Sequence, residues 1–133
     1  MRRLWQVLLI AFTLTGCGGG ESYVPVTGTV KYSDGSVPTG DVATITFQPA
    51  DAGPDTKGAF GTIEPDGSFS LTTLQPGDGA RPGEYRVTVH VMQGYPQGRL
   101  VVAREFANPQ TTPLTETVEA RGENHFDFVV ERP

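Results

Sequence analysis

Beyond residue 20, no stretch of this chain keeps apolar residues at helical spacing for three turns, and turn-forming residues interrupt it at short intervals throughout. A fold built on amphipathic helices needs that spacing, so the architecture has to come from short extended segments. With 17 glycines and 11 prolines in 133 residues and no repeat period, the composition suits either a turn-rich fold or disorder. The regular return of Val, Ile, Phe and Tyr between the turns favours the folded alternative. A chain of this length makes one domain, whose core can close without disulfides or metal.

Residues 23–32 ("YVPVTGTVKY") set Val24, Val26, Gly28, Val30 and Tyr32 against more polar neighbours, and Ser33-Asp34-Gly35 ends the run. Residues 42–48 ("VATITFQ") put Val42, Thr44 and Thr46 on one side and Ala43, Ile45 and Phe47 on the other. Residues 60–64 and 68–72, joined by Pro65-Asp66-Gly67, read as a hairpin, because Pro presets the first corner and Gly takes the positive φ. The clearest strand is 84–92 ("EYRVTVHVM"): Tyr85, Val87, Val89 and Val91 point one way, and Arg86, Thr88, His90 and Met92 the other. Shorter candidates lie at 100–103, 114–118 and 125–131, while 49–56 and 75–82 read as loops. Short strands at this spacing predict an all-β, antiparallel sandwich of about seven strands with one face of each sheet buried.

The N-terminus has the order of an export signal: Arg2 and Arg3, an apolar run over 4–14, then small residues. The run is too short to span a bilayer, which takes ~20 residues. A buried N-terminal helix is the other reading, but the run has no polar face and ends in Gly-Cys-Gly-Gly-Gly. Leu14-Thr15-Gly16-Cys17 resembles the lipobox of bacterial lipoproteins at all four positions. The resemblance implies cleavage before Cys17, a diacylglycerol on its sulfur and a palmitate-type chain on the new amine. It divides the chain into a signal peptide (1–16), a lipidated Cys17 with a flexible Gly-rich tether (17–23) and a sandwich domain (24–133). Each buried methylene contributes roughly 0.8 kcal/mol, so several acyl chains anchor lastingly where one short chain would not. A lone cysteine in an exported chain otherwise raises the question of a missing disulfide partner or a reactive thiol. Gly18 is not the Asp that retains such proteins in the inner membrane, so the outer membrane, on its periplasmic or surface side, is the default.

Within the domain, Gly28-Thr29-Val30, Asp34-Gly35, Gly40-Asp41-Val42, Asp66-Gly67-Ser68-Phe69-Ser70-Leu71 and Pro82-Gly83-Glu84-Tyr85-Arg86-Val87 occur in an order that resembles the carboxypeptidase-regulatory-like and transthyretin-like domains. The resemblance covers roughly 24–91 and implies a Greek-key sandwich. The stretch 106–130 ("FANPQTTPLTETVEARGENHFDFVV") is similar to the end of small bacterial lipoproteins of this class.

Net charge is −5, and loss of Arg2 and Arg3 with the signal leaves eight basic residues against fifteen acidic ones, a formal −7. That argues against nucleic acid as a partner. His90 and His125 lie on expected strands without a neighbouring pattern to make either a base, and Ser68 and Ser70 have no nucleophile elbow. An acylated Cys17 cannot attack a substrate. The transthyretin-like hydrolase of hydroxyisourate ends in Tyr-Arg-Gly-Ser, whereas this chain ends Val130-Glu131-Arg132-Pro133. No catalytic residue, cofactor or metal site is therefore assigned. Asp34, Asp41, Asp51, Asp55, Asp66 and Asp78 fall in or beside loops without calcium-loop spacing, which favours turn residues over a calcium site. Of the aromatics that could carry a contact, Trp5 leaves with the signal, and Tyr23, Tyr32, Phe60 and Tyr95 remain. Tyr32 alternates with Val30 and suits the core equally. Tyr95, at a loop tip in "QGYPQG", is the candidate ligand contact, unless it packs under its own loop. The expectation is a lipid-anchored, non-enzymatic scaffold or protein-interaction module of the cell envelope, touching the membrane through its lipid. The alternative is a carbohydrate- or peptide-binding surface domain, and a transthyretin-like hydrolase comes last.

Cys17→Ser should yield a chain whose intact mass still includes residues 1–16 and no lipid, while the unsubstituted chain should begin at an acylated Cys17. A free Cys17 still joined to Gly16 in the unsubstituted chain would overturn the anchor.

Overall fold

Strict alternation decides which side of each strand leaves water. β1 (Val26–Tyr32) buries Val26, Gly28, Val30 and Tyr32, and β5 (Gly83–Gln93) buries Tyr85, Val87, Val89 and Val91. In this computed structural model, which describes residues 22–51, 57–94 and 96–133, the remaining strands are β2 (Val42–Pro49), β3 (Ala59–Thr62), β4 (Ser68–Ser70), β6 (Arg99–Leu100), β7 (Thr115–Val118) and β8 (Asn124–Val130). One 3-10 turn, Arg104–Ala107, separates β6 from β7. Among the described residues there is no α-helix.

The strands form two sheets, β4-β1-β8 and β3-β2-β5-β6, with β7 also pairing β5. The chain changes sheet between β1 and β2, β3 and β4, β4 and β5, and β7 and β8, so its apolar faces meet across one interior. The expected all-β sandwich is thus the fold. One ladder differs from the antiparallel expectation: β1 and β8 run parallel, from Val26 opposite Asn124 to Tyr32 opposite Val130. Parallel neighbours need a long crossover, and here the whole intervening chain supplies it.

The expected hairpin is also modified. Its turn forms, with Gly67 at φ 89°, a Gly67 N–H bond to the Glu64 carbonyl (2.8 Å) and a Glu64 N–H bond to the Ser68 carbonyl (2.8 Å). The arms then part, touch again at Phe60 and Thr72, and join different sheets, β3 on β2 and β4 on β1. Ile63, Phe69 and Leu71 on the two arms are all buried, so the interior fills the space where a flat hairpin would have paired.

Phe47 stands at the centre of that interior. Projecting from β2, its ring lies 5.7 Å from Tyr85 in the same sheet and 6.4, 6.0 and 6.0 Å from Phe69, Phe126 and Phe128 in the other. Phe69 and Phe128 stack at 6.1 Å with 22° between their planes. These spacings suit aromatic pairs, which add to the area term. Gly28 makes room for the cluster: a Cβ there would come within 1.9 Å of the Phe126 carbonyl oxygen and 2.7 Å of the Phe69 ring. Only a strand residue without a side chain lets Phe69 lie over β1.

Phe47→Ala should lower unfolding stability by about 3–5 kcal/mol, read as a fall in the urea midpoint at unchanged slope. A loss below about 1 kcal/mol would mean that the two sheets do not depend on this ring.

Candidate functional site

The parallel β1–β8 pair gives the sandwich two chemically different ends. At one end lie Val24, bonded to Ala80, and Pro25, beside Gly122 and Asn124. At the other, about 20 Å away for a seven-residue strand, β1 turns at Tyr32 and β8 delivers Arg132. Gly35 at φ 86° closes the turn through its N–H to the Tyr32 carbonyl (2.9 Å). Asp34 accepts bonds from the Ser36 N–H (2.9 Å) and from the Ser36 hydroxyl.

Arg132 docks on this turn. Its guanidinium lies 4.0 Å from the Tyr32 ring centre, donates to an Asp34 carboxylate oxygen (3.1 Å) and donates to Ser36 Oγ (2.9 Å). Tyr32, 7% exposed, belongs to the core, and its hydroxyl donates to the Val101 carbonyl. Burial pushes that hydroxyl's pKa up, with Arg132 opposing. The Asp34 carboxyl is held down at about 2, chiefly by the Ser36 hydroxyl and N–H, with Arg132 adding to the effect.

Beside Arg132 opens a groove of about 640 Å³, lined among others by Thr39, Gln93, Arg99, Leu100 and Val101. Its far wall is tied down: Gln93 Nε2 donates to the Thr39 carbonyl (2.7 Å) and the Gly94 N–H to an Asp41 carboxylate oxygen (2.7 Å). Its volume falls within the roughly 300–1,000 Å³ range of ligand sites, and its lining mixes polar and apolar groups.

A second polar constellation lies on the outer face of β1 and β8. Thr27 Oγ1 is 3.1 Å from His125 Nδ1, His125 Nε2 is 3.1 Å from Asp127 Oδ1, and Thr29 Oγ1 donates to that same oxygen at 2.7 Å. The Thr29 hydroxyl lowers the Asp127 pKa, with His125 contributing. The partners of His125 escaped the sequence reading. Spacing of two on a strand puts His125 and Asp127 on one face, but the threonines reach them only through the parallel register. A hydroxyl, an imidazole and a carboxylate in series can move a proton. Here they sit on an open sheet face, and β1 lies between two partner strands that engage its backbone N–H groups, so an oxyanion at Thr27 would lack preorganised donors.

The other candidates fall as follows. Cys17, Tyr95, Asp55 and Trp5 lie outside the described residues. His90 is exposed on β5, and Phe60, 51% exposed, sits on the outer face of β3. Asp66 binds the Ser68 N–H and hydroxyl, and Asp78 accepts from the N–H groups of Thr73, Leu74 and Gln75, so both carboxylates serve turns. Among the described residues no three His, Cys, Asp or Glu side chains gather around a common point, and no helix is long and apolar enough to cross a membrane. Arg99 and Arg132, which give the groove its charge, carried no sequence signal, since nothing local joins them to Tyr32 or Gln93. Compared with known protein families, curated proteins and solved structures, the chain matches none.

Asp34 supports the folded turn as a carboxylate. A lowered pKa means that this support is full above the ordinary value near ~4 and disappears as pH falls through about 2. The carboxyl carbon resonance of Asp34 should titrate with a midpoint of about 2, and Ser36→Ala should move that midpoint up toward the ordinary value. A midpoint near ~4 in the unsubstituted chain would contradict the Ser36 and Arg132 contacts.

Proposed function

We propose that this chain is a lipid-anchored module of the bacterial cell envelope, of the carboxypeptidase-regulatory-like class, that holds a partner protein at the end of the sandwich facing away from its membrane. The observation that carries this reading is the opposition of the two ends. The chain enters the fold at Val24, whereas the groove beside Arg132 lies at the far end of β1. Between Cys17 and Val24 the chain can span at most about 25 Å, at ~3.5 Å per residue. A lipid on Cys17 would therefore hold the Val24 end near the bilayer and present the groove outward. The described side chains add support: the Thr27–His125–Asp127 series lies on an open sheet face, and Asp66 and Asp78 bind the N–H groups of their own turns. The class rests on the ordered turn-and-strand motifs, several of which coincide with β1, β2, β4 and β5.

A photo-cross-linking residue at Thr39, beside the groove, should give a defined protein adduct in the bacterium that makes this chain. One at Glu123, at the opposite end, should not. Adducts at Glu123 alone, or at neither position, would overturn the reading, and capture of polysaccharide at Thr39 would replace the protein partner with a glycan.

A further inference from the structure

We infer that the groove takes an extended peptide segment of the partner and holds its carboxylate between Arg99 and Arg132. This inference rests on the interaction-module reading and names the chemistry of its contact. Three observations carry it.

The first is charge. The chain as a whole is acidic, at −5, yet the groove beside Tyr32 is lined by two guanidinium groups. They are not equivalent. Arg132 is committed on one side to Asp34, Ser36 and the Tyr32 ring, which hold its plane in place. Arg99 is exposed, and its guanidinium makes no hydrogen bond or ion pair with another described residue. A fixed cation beside one that is unpaired among the described residues suits a carboxylate: Arg132 is preorganised, while Arg99 breaks no ion pair with a described residue to close on the ligand.

The second is backbone. β6 lies at the end of its sheet, and the Val101 N–H bonds to the Val91 carbonyl across the β5–β6 edge. Bonded positions alternate along an antiparallel ladder, so the neighbouring Leu100 turns its N–H and C=O away from β5. An extended peptide can take up that donor and acceptor as an added strand, which a glycan cannot reproduce in register. The third is the groove wall, where half-buried Leu100 offers an apolar seat for a side chain next to the carboxylate.

The test uses the full chain in detergent micelles and fluorescence anisotropy. The probes are a labelled hexapeptide of alternating Thr and Val with a free C-terminal carboxylate, its C-terminal amide, and an amidated form with one internal Glu. Trigalacturonic acid serves as competitor. Binding of either carboxylate-bearing peptide, weaker in salt and lowered about tenfold or more by Arg99→Gln, is the expected result. Arg99→Lys should restore part of the loss, and the two carboxylate probes separate a terminal from a side-chain source. Equal binding of the neutral amide, binding unaffected by Arg99→Gln, no peptide binding, or Arg99-dependent binding of trigalacturonic acid without peptide binding would each overturn it. Arg99→Gln should keep the urea midpoint of the unsubstituted chain, so a loss of binding is not a loss of fold. Unchanged Thr39 adducts in Arg99→Gln would sink the carboxylate inference alone, whereas absence of those adducts in the unsubstituted chain would sink the module reading itself.

Discussion

The contact on which this fold depends is the Phe47 ring from the five-stranded sheet set among Phe69, Phe126 and Phe128 of the three-stranded sheet. Each sheet presents several buried Val and one buried Tyr, but branched aliphatic side chains alone pack in many registers with similar energy. Rings of fixed shape at offset and tilted angles narrow those choices, and Gly28 admits the arrangement by leaving its strand bare where Phe69 lies. The corner at Pro65-Asp66-Gly67 follows from the same cause. Its arms separate because Ile63, Phe69 and Leu71 enter the space that the rings define.

From that core follows the parallel pairing of β1 and β8, and from the pairing the polarity of the molecule. Two strands that start at the same end also finish at the same end. Arg132 therefore arrives beside Tyr32 and Asp34, and His125 beside Thr27. The groove and the outer polar ladder are both products of residues nearly a hundred positions apart meeting in register. The groove is then stiffened locally by the Asp34 turn and, on its other wall, by the Gln93–Thr39 and Gly94–Asp41 bonds.

Much of the fold was legible in the sequence, because alternation and turn chemistry are local. The inward set Tyr85, Val87, Val89 and Val91, the Ile45 and Phe47 side of β2, and the turns at Gly35 and Gly67 all appear where residue type and spacing placed them. Strand partnership is not local. Pro65-Asp66-Gly67 announces a reversal but not whether its arms share a sheet, and nothing near Val26 names Asn124 as its neighbour. The candidate site suffers most from this. Arg99 and Arg132 look like ordinary surface charges until the β1 turn, β6 and the end of β8 are brought together. Tyr32, open to either reading from its alternation, becomes core once the hydroxyl's bond to Val101 is visible.

The sheet margins have a consequence for how such molecules behave in a crowd. Lipid-held chains would share a surface, where encounters are frequent and an unpaired strand edge invites a neighbour. The outer strands β3 and β4 are short, so each offers little backbone for a foreign strand to template on. The seven-residue β8 is the exception. It projects His125 and Asp127 from its exposed face, and the Glu131 carbonyl just beyond it is taken by the Ala103 N–H. The chain's net charge of −5 would oppose the close approach of adjacent copies and so keep them from zipping together into aggregates.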